Sequence, residues 1–201
     1  LDDLYDSYAN LTLKLVKSMR KITEIVPNFK FLLKSDDDTY VKLDLLVVDL
    51  MEYYKKSNME LYWGYFNGKA NIKTSGAWKE STYNLCDHYL PYALGGGYVL
   101  SANLIKFVAN YSEALSLYKS EDVSMGTWLS PFRNIHKRHD VRFDTAYMAR
   151  SCRDYHLVMH KKTAEEMRGI YGGEWKCSDD GAKRPIEYFY DWTQTPRKCC
   201  S

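Results

Sequence analysis

Three consecutive carboxylates, Asp36, Asp37 and Asp38, directly follow the apolar run Phe29–Ser35. Like charges this close repel by about 1 kcal/mol or more, so a positive partner is expected. One reading is a solvated turn whose acids cap the next helix. The other is a divalent-cation site: carboxylates one residue apart can hold a hard ion, oxygen donors suit Mg2+ or Mn2+, and phosphate oxygens can complete the shell. Three other clusters carry chemistry. His160 closes the segment His156–His160 and is either a structural histidine or a ligand. Glu121-Asp122 opens a helical pattern, where acids complement the helix dipole or supply a general base. Gly95–Gly97 is either a flexible loop or a place where backbone closely approaches a ligand, since no Cβ intervenes. Its aromatic flank, Tyr89, Tyr92 and Tyr98, could stack on a sugar or base, or be core.

The elements that must position these residues are read from periodicity. Leu4, Tyr8, Leu11, Leu15 and Met19 form a helical stripe that Pro27 ends. Phe29–Ser35 reads as a buried strand, and Leu43, Leu46, Val47, Leu50, Met51 and Tyr54 as a second helical stripe. Leu61–Phe66 is a strand, followed by a polar loop to about Ser81. After the glycines, Leu104, Ile105, Val108 and Tyr111 give another helix. Val123, Gly126 and Leu129 lie on a short helix, and His156–His160 is a strand. Thr163 with Glu166 makes a capping box for a helix to about Ile170. Alternating strands and helices predict an α/β fold with a mixed central sheet. Ligands in such folds bind at the carboxyl ends of strands, where the three aspartates sit.

The 201 residues suit one domain or a large piece of one, and 45% hydrophobic with 15% aromatic residues is ample for a core. A net charge of +2 gives no argument for nucleic acid. No run of 18 apolar residues and no signal peptide is present. Cys86, Cys152, Cys177, Cys199 and Cys200 include no CxxC pair, so zinc is poorly supported. Their odd number leaves one thiol free or paired outside the chain. Cys199 and Cys200 are expected to bond to other cysteines, because adjacent residues close a strained ring. The sequons at Asn10 and Asn110, together with the cysteines, favour a luminal or extracellular compartment.

The ordered segments "DSYANLTLK", "KSDDDTYVKLDLL", "LPYALGGGYVLS", "SEDVSMGTWL" and "LVMHKKTAEEM" resemble the β-1,3-glycosyltransferase family that includes the β-1,3-galactosyltransferases and is related to Fringe. The resemblance runs along essentially the whole chain. "LYWGYFNG", "LCDHYLPYALGGGYVLSANL" and "YDWTQTPRKCC" are most similar to the members that add the second galactose of the proteoglycan linkage region. The resemblance implies a GT-A type fold and inverting transfer of galactose from UDP-galactose, in β-1,3 linkage, to a galactosyl-xylose acceptor. It implies Mn2+ as cofactor and a type II Golgi membrane protein whose catalytic part faces the lumen. Residue by residue, it implies Asp38 and His160 as metal ligands and Asp122 as catalytic base. Asp36, Asp37, Gly95, Gly96, Gly97 and Trp78 are then placed beside the bound donor. Family members begin their catalytic domain before "DSYANLTLK", so residues 1–201 are expected to be its C-terminal portion, with the first strands, stem and anchor outside this sequence. The alternatives are another β-1,3-galactosyl- or β-1,3-N-acetylglucosaminyltransferase, an inactive homologue serving as a binding module, and a metal-dependent phosphohydrolase or glycosidase. The acids and histidine speak against the inactive homologue, and the segment order against the hydrolases.

Overall fold

A computed structural model describes residues 4, 5, 7–178, 190–196 and 198. Arg197, Cys199 and Cys200 of the "YDWTQTPRKCC" ending lie outside the described residues. A short 3-10 turn, Tyr8–Asn10, leads into α1 (Leu11–Ile25), which buries Leu15 and Met19 as its stripe predicts, and Val16 beside them. There follow β1 (Phe31–Ser35), β2 (Tyr40–Val41), α2 (Leu43–Lys56), β3 (Glu60–Asn67), β4 (Tyr92–Ser101), α3 (Ala102–Tyr111) and α4 (Glu121–Leu129). The chain then forms β5 (Ile135–His139), β6 (Phe143–Asp144), β7 (Val158–Met159) and α5 (Ala164–Tyr171). The predicted capping box on α5 is present, Thr163 and Glu166 exchanging side-chain and backbone bonds.

The fold is α/β with mixed sheets. Four strands run in the order β1-β4-β3-β5, with β1 and β3 antiparallel to β4 and β5 parallel to β3. A smaller sheet, β2-β7-β6, pairs β2 antiparallel and β6 parallel to β7. Side chains alternate across the large sheet with the strand period of two. Tyr62, Phe66, Tyr98 and Leu100 meet Leu15, Met19, Leu104, Ile105, Met125 and Leu129 of α1, α3 and α4 on one face. Leu61, Trp63 and Val99 meet Leu46, Phe143, Leu157 and Val158 on the other. Beneath that second face, Asp140 accepts from the Trp63 indole (2.9 Å) and pairs with Arg142, which also reaches Asp49 of α2 (2.6 Å). This buried polar network is satisfied on every side and ties β3, α2 and the β5–β6 turn together.

Two expectations are corrected, and two open readings are resolved. β1 is not a buried strand: it lies at the sheet edge, pairs with β4 alone among the described strands, and its side chains are only partly covered. The stripe of α2 is mostly exposed. Only Leu46 is buried, while Leu43, Val47, Met51 and Tyr54 are each about half exposed, Tyr54 although its ring meets Phe31 of β1 edge-on. Gly95–Gly97 are not a loop but the middle of β4, the longest strand. The polar stretch after β3 covers a tyrosine cluster, Tyr83, Tyr89, Tyr92 and Tyr118, packed edge to face at 4.8–6.1 Å. Tyr89, Tyr92 and Tyr98 are therefore core residues. Cys152 and Cys177 form a disulfide, and Cys86 is a free, exposed thiol. Among the described residues no helix is long and apolar enough to cross a membrane.

Candidate active site

The site forms where the carboxyl ends of β1 and β7 meet the glycines of β4 and the first turn of α4. β1 stops at Ser35, opposite Gly97, so the acids continue past the sheet edge. β2 pairs with β7 by Tyr40 and Met159, which brings Asp38 and Thr39 alongside His160. The Lys162 amide donates to the Asp38 carbonyl (2.9 Å) and fixes that approach. Oxygens of Asp36 and Asp38 and a ring nitrogen of His160 all lie within 4.8 Å of one another. His160 Nδ1 is 3.0 Å from Asp38 Oδ1, and its Nε2 is 3.8 Å from Asp36 Oδ2. Thr39 Oγ donates to the Gly96 carbonyl (2.7 Å) and sits 3.1 Å from His160 Nδ1. Lys161, whose φ of 57° puts it in the left-handed region, reaches back to Asp38 Oδ2 at 2.8 Å. Non-glycine residues hold that conformation only where their surroundings enforce it, which is common at functional sites.

Burial lowers the proton affinity of His160, and Asp38 only partly offsets this, so the ring is neutral near pH 7 and has a lone pair to give. Partial burial of Asp38 works to raise its proton affinity, but Lys161 and His160 outweigh it and keep the carboxylate ionised. Two carboxylates and one neutral imidazole are a donor set that fits Mn2+. The positive partner demanded by three adjacent acids is supplied by Lys34 on Asp36 and Lys161 on Asp38.

Against Gly95 of β4, Asp122 Oδ2 accepts from the Gly95 amide (2.9 Å) and its Oδ1 from Val123 (2.8 Å). It lies in the first turn of α4 but is not the cap, which is Ser120. Burial pushes its carboxyl up, Glu121 next door adds to this, and the two amides and Lys34 only partly oppose them; it titrates at about 7. That matches a base working near neutral pH.

The glycines explain why these groups can converge. A Cβ on Gly95 would stand 2.8 Å from Glu121 Oε1 and 3.3 Å from Asp122 Oδ2; one on Gly96 would stand 2.7 Å from His160 Cγ; one on Gly97 would stand 2.8 Å from Val158. What approaches the strand is thus the site's own side chains. The structure brings Asp36, Asp38, His160, Gly95, Gly96 and Asp122 together. It does not bring Asp37, which is exposed and outside the cluster, or Trp78, which is half exposed on the loop after β3 with its ring 6.3 Å from Tyr147. Sequence reasoning missed Lys34, Thr39 and Lys161. Lys34 had a signal, since residues two apart in a strand share a face and Lys34 precedes Asp36 by two. Thr39 and Lys161 depend on the β2–β7 pairing, and those strands are two residues each.

An α/β frame with a carboxylate–histidine cluster at strand ends, and a separate carboxylate of raised proton affinity, defines the class: a site equipped for metal-assisted chemistry on an anionic leaving group with a nearby base. The Galactosyltransferase family profile matches residues 1–140. Over 203 aligned residues the chain is 42% identical to mouse beta-1,3-galactosyltransferase 6, covering all of this chain and 62% of the relative. It is 34% identical to the Xenopus laevis UDP-GalNAc:beta-1,3-N-acetylgalactosaminyltransferase 2 (88% of this chain, 35% of the relative). It is 31% identical to the Arabidopsis thaliana hydroxyproline O-galactosyltransferase GALT5 (81% and 24%). The chain belongs to the galactosyltransferase family. It spans under two thirds of the length of these relatives.

Proposed function

We propose that this protein transfers galactose from UDP-galactose to a sugar hydroxyl in β-1,3 linkage with inversion, the acceptor being the galactosyl-xylose of the proteoglycan linkage region. The observation that carries the reading is the pairing of two groups at the β4 glycines, the acid–histidine cluster against Gly96 and Asp122 against Gly95. Family membership and the 42% identity to a β-1,3-galactosyltransferase support donor and linkage, and the segment resemblance supports the acceptor. Residues 1–201 then act as part of a catalytic domain. The compartment is the Golgi lumen, with the full-length protein a type II membrane protein; the two sequons and the Cys152–Cys177 disulfide fit an oxidising lumen.

In this mechanism Asp38 and His160 would hold Mn2+, with Asp36 beside them. When bound, the ion would supply charge stabilisation to the diphosphate. The acceptor hydroxyl is a poor nucleophile while it keeps its proton. Each Asp122 oxygen accepts one amide hydrogen and retains a further lone pair, which takes that proton. The acceptor oxygen forms its bond to the anomeric carbon from the face opposite UDP. The bond to the diphosphate oxygen breaks, and UDP leaves with the electron pair. Inversion requires the base and the diphosphate to lie on opposite sides of the reacting carbon.

The test is UDP release from UDP-galactose with and without Mn2+, against galactosyl-xyloside, N-acetylglucosaminide and N-acetylgalactosaminide acceptors, with linkage analysis of the product. Mn2+-dependent release requiring the galactosyl-xyloside and giving a β-1,3 product is expected. Preference for another acceptor overturns the linkage-region assignment. Hydrolysis of UDP-galactose without transfer to any acceptor overturns the transferase reading.

A further inference from the structure

Among the described residues, Lys34 is the one that touches both halves of the site through its side chain while belonging to neither. It sits on β1 with its side chain 16% exposed, and its ammonium has three hydrogens to donate. The ammonium donates to Asp36 Oδ1 at 2.6 Å and to the Gly95 carbonyl at 2.5 Å, and forms an ion pair with Glu121 Oε1 at 2.7 Å. Asp36 belongs to the acid–histidine cluster, Glu121 is the chain neighbour of Asp122, and Gly95 donates its amide to Asp122. Glu121 is as enclosed as the lysine, at 12% exposure. Losing one partner of a pair this buried leaves the other charge uncompensated, unlike the loss of a surface pair.

We propose that Lys34 is a positioning residue that couples the two halves of the site: its ammonium neutralises Glu121 and ties it to Asp36 and the Gly95 carbonyl, leaving Asp122 to take the acceptor's proton. The inference rests on Asp122 being the base of the proposed transfer. The groups facing Asp122 are Glu121 from its own helix, Lys34 from β1, Tyr62 from β3, Tyr92 and Tyr98 from β4, Tyr89 from the preceding loop and Tyr8 from the 3-10 turn. Burial raises the proton affinity of all five tyrosines, so they stay neutral through the working range. Lys34 and Glu121 therefore set the charge balance at the base. Without the lysine, two adjacent carboxylates face each other in a desolvated pocket and compete for one proton. Burial acts to lower the proton affinity of Lys34, but Glu121 and Asp36 outweigh it, so the ammonium persists.

The test reads Asp122 directly. Carboxyl carbon-13 NMR of aspartate-labelled, metal-free protein is followed from about pH 4 to 9, the Asp122 signal being assigned by its loss in Asp122→Asn. In Lys34→Met the Asp122 midpoint should rise by about 1 unit or more, and in Glu121→Gln it should fall by a similar amount. The double variant Lys34→Met/Glu121→Gln should return towards the wild-type midpoint, and the acidic limb of kcat/KM should move with the NMR midpoint in each variant. A side chain that served packing alone would move neither, and Glu121→Gln would not restore what Lys34→Met removed. An unmoved midpoint in Lys34→Met, or a double variant no closer to wild type than Lys34→Met, overturns the inference. If Lys34→Met does not fold, Glu121→Gln carries the test, and an unmoved midpoint there overturns it equally. NMR shifts as expected in a protein that transfers no galactose would uphold the coupling and overturn the transferase reading.

Discussion

Gly96→Ala is the smallest change that should disable the metal half of the site. The added Cβ would stand 2.7 Å from His160 Cγ, 2.9 Å from its Cβ and 3.0 Å from its Cδ2, so it meets the side chain along its whole inner edge. An ordinary carbon–carbon contact is near 3.5 Å, so the ring must move by about 0.8 Å. His160 is buried and has little room to give. Its Nδ1 lies 3.0 Å from Asp38 and 3.1 Å from Thr39, and a displacement of that size takes both beyond hydrogen-bond range. Overpacking of this kind costs about 1–3 kcal/mol of stability. A metal ligand that loses its orienting partners costs about 10–100-fold in metal affinity. Chemical denaturation gives the first quantity, and Mn2+ titration followed by calorimetry or electron paramagnetic resonance gives the second. Gly76→Ala is the control. It sits at φ 78° with no atom near its Cβ position, so it should lose about 1 kcal/mol from backbone strain and no metal affinity. A folded Gly96→Ala protein with wild-type stability and wild-type Mn2+ affinity would refute the reasoning.

Further outcomes follow from the same geometry. Asp38→Asn should abolish Mn2+-dependent binding of UDP-galactose while the protein stays folded, and normal calorimetric binding by that variant would remove Asp38 from the metal site. Because burial and Glu121 raise Asp122 to about 7, kcat/KM should climb with pH through that value, and a limb near pH 4 would contradict it. The stability sign is opposite. Between about pH 4 and 7 the folded state holds the Asp122 proton more tightly than the unfolded chain, so stability falls as pH rises across that window. Asp122→Asn should remove this fall, on the order of 4 kcal/mol, in pH-dependent denaturation curves. Reduction of Cys152–Cys177, which are 25 residues apart, should cost about 3 kcal/mol by the chain-entropy argument, and an unchanged melting temperature after reduction would contradict it.

The legible parts of the sequence were those with local causes. Leu15 and Met19 repeat at the helical period, and the Thr163–Glu166 box names its own helix start. The order of strands and helices gave the α/β class. The acid–histidine cluster was reachable only through resemblance, since Asp38 and His160 are far apart in sequence and nothing local in either predicts the meeting. β5 and β6 were missed because Ile135–His139 is dominated by basic and histidine residues and Phe143–Asp144 is too short to show a period. The glycines misled for a physical reason. Three in a row read as a loop by propensity, yet Tyr98 and Val99 beyond them lock the strand on both faces, and the missing Cβ atoms are filled by His160, Val158 and the α4 acids. Lys34 was passed over as an ordinary lysine between an apolar run and an acidic one. Its meaning lies in Glu121, which only the folded chain brings to it.

Asp122→Asn tests the central claim most directly. Asparagine is nearly isosteric and can still accept from one of the Gly95 and Val123 amides through its carbonyl oxygen, but it cannot take a proton from the acceptor hydroxyl. The measurement pairs calorimetric binding of UDP-galactose with Mn2+ against turnover on the galactosyl-xyloside, using one preparation of folded variant. The account predicts donor affinity close to wild type and turnover lower by roughly 10²–10⁴-fold. Near-normal turnover by the folded variant would contradict it and move the base elsewhere, with Glu121 the next carboxylate in reach.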